Sequence, residues 1–512
     1  MSQGTRICQR MTSLEGQRNP HVSRWQDAFD HSYPERSSSF WRSDGLGSDD
    51  ARKKADIVDS TGLDAAKTLA AGLAGGLVPS NTQRFDMDTG NIDEAQQNDW
   101  LSEKARFVWE NIHSANCDSN DVDVFIDTGC AGWMVLYVTA SEEGGYNFEW
   151  WPIGECFISA SRKGRPIDTI YRAYSLTVEQ CVNEYGIENV SEQTRRQYEA
   201  GSAKWQEKVE MIFVIEPRPG ANLDSPYSTD LPFASFHVEL RNKHVAKEGG
   251  YHEFPCAVPR VRMIPGSHYP VGPYDDVLPD VKTLQALGST EIMANELAVA
   301  GMWKAKDDGV LNPHSVRIGP RKVVVVADMD NFQRLDTTNP GGARQSFTTK
   351  SDLQGQIRKQ MRSDQLEPQD KPQMTAYEVS VRVQIIRTLI GPEFSRFQDE
   401  FMDTVVKRCF GIAMRSGVLG DPPAGLNWYT VRYKSPLARA QKSEDAEATK
   451  AYLDYLKVFA IDTQDMSILD IVNKDKASRH IADGSNVPTD ILNDPDEIKE
   501  IRDIRAQQEQ EQ

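Results

Sequence analysis

The stretch from Val277 to Val405 constrains this chain most. It reads as helix, compact β-rich insert, returning helix, proline-rich loop and a long amphipathic helical region. The first helix opens in "VLPDVKTLQALGSTEIMANELAVAG". Pro279 suits a first helical turn, where an absent N–H costs no intrahelical bond, and Asp275, Asp276 and Asp280 suit the positive end of the helix dipole. Leu278, Val281, Leu284 and Leu287 recur as one narrow apolar stripe. Ala286, Gly288, Ser289, Ala294 and Ala298 are small enough to let another helix approach closely. The returning helix is predicted from Arg344 to Arg362, with Leu353, Ile357 and Met361 on one face. Between the two helices one strand is clear, Lys322 to Ala327. After them comes "QLEPQDKPQMT", Gln365 to Thr375, where Pro368 and Pro372 exclude regular structure. Val379, Val383, Ile386 and Ile390 then form a helical stripe, continued after Pro392 by Phe394, Phe397, Phe401, Val405 and Ile412.

At 512 residues the chain exceeds what one core supports, so several domains are expected. No run of about 18 apolar residues occurs, and no membrane span is expected. Seven cysteines are scattered without a CxxC pair, which points to reduced thiols in an intracellular setting. The net charge of −18 argues against a surface that grips nucleic acid tightly. It is compatible with a wall past which DNA slides, although on charge alone an acidic soluble surface is the plainer reading.

The N-terminal half reads as α+β. Trp25, Phe29 and Tyr33 share a helix face that Pro34 ends. A second helix lies in "VDSTGLDAAKTLAAGLAGGLVPS", with Asp59 or Ser60 as N-cap and Leu63, Lys67, Ala70 and Ala74 on one face. It lacks the GxxxxGK[ST] sequence of a phosphate loop. Helices follow at about Glu94 to Ser114 and Ser119 to Gly132. From Trp133 to Thr177 the period changes to two, and an antiparallel meander is expected, with Trp150 and Trp151 as core and edge packing. Strands resume at Lys208 and continue to about Pro265. Near the C-terminus a strand at Trp428 to Tyr433 is expected to complete this sheet. A helix after Ser443 is expected to carry Ala448, Tyr452, Tyr455, Leu456 and Phe459 on one face.

Catalytic signatures are missing: no HExxH, GxSxG, DFG, Walker or Rossmann pattern occurs. His237, His244 and His252 lie near one another, but without ligand spacing to a carboxylate or cysteine, and are read as structural or surface residues. No enzyme activity and no cofactor or metal are expected.

In order and spacing, these pieces together resemble the head-to-tail connector, or portal, family of short-tailed T7-like bacteriophages over nearly the whole chain. "DSTGLDAAKTLAAGLAGGLVPS" resembles the family's most recognisable motif. Trp25 with "YPERSSSF", "FEWWPIGECFISASRKGRPIDTIYRAYSLTVEQ", "VLPDVKTL", "TAYEVSVRV", "DPPAGL" and "SNVPTDIL" resemble its other landmarks. "GSHYPVGPYDDVLPD" departs from the Y-G-x-G-P segment usual in the family.

The resemblance implies a multidomain α+β protein that forms a ring, dodecameric in the virion, at one capsid vertex. Its parts would be a wing with an antiparallel sheet (residues 1–274), a first stem helix (275–301), a small α/β clip (302–343) and a second stem helix (344–364). A tunnel loop (365–375), a long helix with a wing return strand (376–439) and a helical crown with a polar C-terminal tail (440–512) would follow. Gln365, Gln369, Lys371 and Gln373 would face the channel from the tunnel loop. Asp280, Glu291 and Glu296 would line the stem with acid. Lys304, Lys306, Arg317, Arg321 and Lys322 would contact DNA or a docking partner at the clip, solvated or intersubunit ion pairs being an equal account of them. The implied partners are further copies of the chain, double-stranded DNA, the terminase large subunit, tail adaptor and nozzle proteins, the major capsid protein, and scaffolding and internal core or ejection proteins, with no membrane. Two other readings stay open: a different head-tail component such as an adaptor, and a soluble nucleic-acid-processing enzyme.

Overall fold

The computed structural model describes residues 2–36, 54, 56–77, 83, 85–89, 95–141, 144–222, 225, 227–300, 302–306, 323–326, 333–335, 340–366, 396, 399–423, 429–433, 436–463, 471–473, 477–478 and 481–482. The fold is α+β. The chain divides into two compact units, residues 1–82 with 103–426, and residues 83–102 with 427–512. In chain order the elements are α1 (Gln3–Ser32), α2 (Thr61–Leu77), β1 (Phe85–Asp88), α3 (Ala95–Ser114), α4 (Cys117–Ala131), β2 (Leu136–Ala140), β3 (Tyr146–Trp150), β4 (Cys156–Ser159), β5 (Thr169–Thr177), α5 (Val178–Tyr185) and α6 (Glu192–Glu199). Then come β6 (Lys208–Pro217), β7 (Phe233–Glu239), β8 (His244–Tyr251), β9 (Cys256–Ala257), β10 (Arg262–Met263), β11 (Pro270–Val271), α7 (Tyr274–Ala300), β12 (Met302–Lys306), β13 (Val323–Val326), β14 (Gln333–Leu335), α8 (Pro340–Gln360), α9 (Ser363–Leu366), β15 (Thr430–Tyr433) and α11 (Pro436–Thr463), with a helix α10 over residues 399–415 before the last two.

The first unit is built on a five-stranded antiparallel sheet in chain order, β4-β5-β6-β7-β8. The single meander expected from Trp133 to Thr177 is in fact two sheets. The β2–β3 hairpin pairs instead with β9, in the order β3-β2-β9. The break falls at Trp151-Pro152: proline brings no N–H to a ladder, and the chain turns there. Trp151 fills the core as expected, stacked on Tyr137 at 4.6 Å and edge-on to Phe213 at 5.5 Å. Trp150 is half-buried, and its indole N–H donates to Asp127 at 2.9 Å.

Helix α1 covers one face of the large sheet. Ser2 caps it, its hydroxyl accepting from the Thr5 N–H. Ile7, Met11 and Leu14 pack among Phe157, Tyr171, Ile212, Val214 and Phe236; burying each such side chain is worth about 1.5–3 kcal/mol. The nearly fully buried Glu216 fixes the register, accepting from Arg6 at 2.5 Å, Arg10 at 2.8 Å and the Tyr171 hydroxyl at 2.9 Å. Trp25, Phe29 and Tyr33 are all buried, and the helix stops before Pro34 as the sequence indicates. In α2 the buried face differs from the expected one. Thr61, Ala65, Ala66, Leu69, Ala70 and Leu73 are buried, whereas Lys67 is exposed. The small side chains, not the Leu63–Lys67 line, let neighbouring helices close in.

In the second unit β1 and β15 form an antiparallel ribbon, from Phe85 opposite Tyr433 to Asp88 opposite Thr430. The Trp428–Tyr433 strand therefore does not complete the large sheet; it pairs with a strand far earlier in the chain. Helix α11 starts at Pro436, a residue preset for a first turn, so Ser443 lies inside the helix and does not cap it. Ala446 and Leu456 are buried, while Tyr452, Tyr455 and Phe459 are exposed.

Candidate functional site

The most distinctive part of the first unit is the helical hairpin of α7 and α8 and the small sheet between its arms. Helix α7 starts one turn earlier than the sequence indicates. Pro273 immediately precedes it, and the Gly272 N–H donates to the Asp275 carboxylate at 3.0 Å. Burial raises the Asp275 carboxyl above its ordinary value, and Arg24 lies 3.2 Å from it. Pro279 thus falls in the second turn of α7, not the first. Val277, Leu278, Val281 and Leu284 are buried and Leu287 is half-buried, so the stripe holds along the first half of the helix. Tight packing surrounds it. A Cβ at Gly62 of α2 would meet the Tyr274 hydroxyl at 2.6 Å, and one at Gly288 would meet the Val58 side chain at 2.8 Å.

Three segments converge on Asp59, just before α2. Its carboxylate accepts from the Thr61 N–H at 3.0 Å and hydroxyl at 2.6 Å, which caps α2. It also accepts from the Gln354 amide of α8 at 2.8 Å and faces Lys350 at 3.4 Å. From α7 the Gln285 side chain takes the backbone of the same residues. Its carbonyl accepts from the Val58 and Asp59 N–H groups at 2.9 and 3.0 Å, and its amide donates to the Asp59 carbonyl at 2.6 Å. Burial pushes the Asp59 carboxyl up, but the bonds from Thr61 and Gln354 and the charge of Lys350 outweigh it and hold the group below its ordinary value. One turn further out, Glu291 of α7 accepts from the Ser346 hydroxyl at 2.8 Å and lies 3.7 Å from Lys350. The two arms are therefore antiparallel, cross-linked by polar rungs and hung from the start of α2.

The expected site residues distribute as follows. Asp280 is half-exposed and Glu296 exposed, whereas Glu291 is bound within the hairpin. Lys304 and Lys306 lie on β12, the central strand of the mixed sheet β13-β12-β14; it runs parallel to β13, with Lys304 opposite Val324, and antiparallel to β14. The strand expected over Lys322 to Ala327 is β13. Arg317, Arg321 and Lys322 lie outside the described residues. Helix α8 begins at Pro340, four residues before the expected Arg344, with proline again at the head. Ile357 and Met361 are buried. Arg362 takes a left-handed φ of 57° and breaks the helix, after which α9 adds one turn. Gln365 and Leu366, expected to open an irregular loop, belong to that turn. Gln369, Lys371 and Gln373 lie outside the described residues, as do Val379, Val383, Ile386, Ile390, Phe394 and Phe397.

Beyond that segment α10 is anchored by buried charge. Arg260 donates to both oxygens of Glu400, at 3.1 and 2.7 Å, with both side chains largely buried. Glu253 accepts from Arg408 at 3.1 Å and from Arg415 at 2.6 Å, and the Arg408 guanidinium lies 5.1 Å from the Tyr251 ring centroid. Phe401 and Val405 are buried as the spacing indicates. These ion pairs and the Asp59 junction left no mark in the sequence beyond Asp59 as a candidate cap, because their partners are distant and not periodic.

His237 stacks on Phe213 at 4.2 Å, and its Nδ1 lies 3.0 Å from the Tyr185 hydroxyl. Burial, with Lys247 nearby, lowers its pKa to about 4. Among the described residues no three His, Cys, Asp or Glu side chains gather as a metal site would require, and no helix is long and apolar enough to cross a membrane.

A family model described as bacteriophage head to tail connecting protein matches residues 5–492. The chain is 24% identical to the portal protein of Salmonella phage epsilon15 over 531 aligned positions, covering 99% of this chain and 91% of that protein. It is 23% identical to a probable portal protein of Bordetella phage BPP-1, covering 98% and 91%. Among solved structures it is similar, at 10% identity and a TM-score of 0.33, to a chain from the neck of an empty gene transfer agent particle, covering 77% of this chain and 86% of that one.

Proposed function

The chain belongs to the bacteriophage head-to-tail connecting protein family, and from this premise we propose that it is a portal. It forms a ring at one capsid vertex through which the genome is packaged, retained and ejected. The observation that carries this reading is the family match from residue 5 to residue 492, together with portal relatives aligned over nearly the entire chain.

In this reading the sheet-rich part of the first unit is the wing, and α7 and α8 are the stem. The β12–β14 sheet is the clip, residues 365–375 the tunnel loop, and residues from about 440 the crown. The hairpin suits a stem because its arms are tied to each other at Glu291 and to the body at Asp59, so the tip is carried on a braced shaft. Acid at Asp280 and Glu296 facing a channel would repel phosphates and let the duplex slide, an interaction that salt screens over about 8–10 Å. Lys371 is the candidate DNA contact of the loop. Lys304 and Lys306, with Arg317, Arg321 and Lys322, are candidates for docking the terminase and then the tail.

Native mass and negative-stain imaging of the purified chain test the reading. A ring of about a dozen copies with a central channel is expected, and a chain that stays monomeric at all concentrations would overturn it. Within assembled particles, Lys371→Ala should lower genome retention in filled heads; unchanged retention removes the loop contact.

A further inference from the structure

The turn joining β4 to β5 carries a compact positive charge that the chain itself does not use. It reads Ser161-Arg162-Lys163-Gly164-Arg165-Pro166, and all of these residues are exposed. Arg162, Lys163 and Arg165 make no side-chain hydrogen bond or ion pair among the described residues. The acid beside them is held elsewhere. Asp168 sits at the neck of the turn, where its carboxylate accepts from the Ser161 N–H at 2.8 Å, from the Ser161 hydroxyl and from the Thr169 hydroxyl at 3.0 Å. Behind the neck the two strands offer one further cation, Arg172, and it is already bound by Glu149 at 2.7 Å and Glu155 at 2.9 Å. Three cations within four residues thus stand without partners in a chain whose net charge is −18.

The tip is held in shape before any partner arrives. The Arg165 N–H donates to the Arg162 carbonyl at 3.3 Å and closes the turn, and Gly164 supplies the left-handed φ of 78°. A Cβ at Gly164 would meet nothing within 4 Å, so the turn projects into solvent. Ile167 is 6% exposed and roots the turn in the core, and the ring of Pro166 fixes φ just before it. A turn fixed in this way loses little conformational freedom on binding.

The charge fits an acidic polypeptide better than a duplex. Successive Cα atoms are about 3.8 Å apart, so the three cations span at most about 11 Å. A protein that makes about 6–10 phosphate contacts does so from an extended basic surface. Here no basic track leads away from the tip along β4 or β5, and Glu149 and Glu155 lie behind it. A short run of Asp or Glu side chains matches the tip in extent, and each arginine can grip a carboxylate through two N–H groups. We propose that the β4–β5 tip docks an acidic segment of a partner protein. Exposed ion pairs are individually weak and screened by salt, so one tip holds its partner loosely. A ring presents one tip per copy, and several tips engaged at once on an arrayed partner convert weak contacts into firm attachment. This multivalent step rests on the portal reading.

A retention experiment tests the proposal. Lys163→Glu is compared with Arg241→Glu, which changes the charge equally in the exposed β7–β8 turn at the opposite end of the same sheet. Arg162→Gln with Arg165→Gln is the milder second variant. These side chains have no partner among the described residues, so every variant should melt as the wild type does. Purified protein is passed over a surface bearing a peptide of consecutive glutamates and over a second bearing a short DNA duplex. Wild type and Arg241→Glu should be held on glutamate, Lys163→Glu and the double variant at least about tenfold more weakly, with retention falling as salt rises. Equal losses from Lys163→Glu and Arg241→Glu, no retention of the wild type on glutamate, or retention on the duplex that matches it, would each overturn the proposal. A wild type whose native mass is that of a monomer at every concentration instead overturns the portal reading, and the same comparison on the monomer then judges the tip by itself.

Discussion

Replacing Asp59 by alanine tests whether the hairpin is braced through one side chain. The substitution removes the cap on α2, worth about 1 kcal/mol, and the acceptor for Gln354. It also removes the counter-charge for Lys350, whose side chain is only partly exposed. A hydrogen bond to a charged group contributes about 1.5–3 kcal/mol, and the lysine contact needs discounting for solvent screening. A loss of about 3 kcal/mol is expected, of which the α8 side carries about 2. Asp59→Asn keeps an acceptor for Thr61 and loses the charge, so about 1 kcal/mol is expected from it.

Because a chain of several units need not unfold in one step, the fitting assay is amide exchange read peptide by peptide. In Asp59→Ala, peptides over residues 350–361 should exchange about thirtyfold faster, the factor that corresponds to about 2 kcal/mol. Peptides over residues 281–288 should change less, since Gln285 holds backbone groups that survive the substitution. The sign with pH follows from the depressed carboxyl. Its contribution is fully present above the ordinary aspartate value of about 3.9 and is lost as pH falls through the lower folded value. The difference between the wild type and Asp59→Ala should therefore persist to about pH 4 and shrink below it. Faster exchange confined to α2, with α8 unchanged, would show that Asp59 is only a cap and refute the brace.

Three further outcomes are expected. His237 is held neutral by burial with a pKa of about 4, so its contribution is complete above about pH 6.5 and declines by up to about 3 kcal/mol towards pH 4; His237→Gln should flatten that part of a denaturation-versus-pH series. Arg260→Met strands a largely buried Glu400, since Arg396 stands 3.9 Å away and is mostly exposed. It should cost about 3–5 kcal/mol, read as faster exchange in α10, with Arg260→Met/Glu400→Met recovering most of the loss. Gly132 closes α4 at a φ of 82°, and a Cβ there would meet the Val271 carbonyl oxygen at 2.5 Å. Gly132→Ala should lower the melting temperature by a loss of about 2 kcal/mol or more, while Gly144→Ala, also at positive φ but in open space, should cost less.

Periodic features were legible in the sequence because they follow from local geometry. The Trp25–Phe29–Tyr33 face and the strand at Lys208 fall where their spacing puts them. Features set by contacts distant in sequence were not. The β1–β15 ribbon joins residues 85–88 to 430–433, and nothing in either stretch names the other. The separation of the first two β-hairpins depends on a single proline within an otherwise continuous β pattern. Pro279 misled for a related reason: a proline that could start α7 was available, but Gly272, Pro273 and Asp275 had already built the first turn. In the candidate site, Glu291 shows the limit of reading charge by position. As one acid among five on α7 it resembles a channel-lining group, yet Ser346 and Lys350 on the other arm bind it.

Burial along α7 gives these observations a common cause. Val277, Val281 and Leu284 are buried against the body, and Gly288 still touches Val58. Past Gly288 every described side chain is exposed except Glu291. The outer part of the helix is thus joined to its partner arm by polar rungs, with no buried apolar side chain among its described residues. Helices draw most of their stability from tertiary packing of an apolar face, and here Ile292, Met293 and Phe347 are exposed. The inner half of α7 therefore rests on buried apolar packing, while its described outer part rests on the polar rungs to α8.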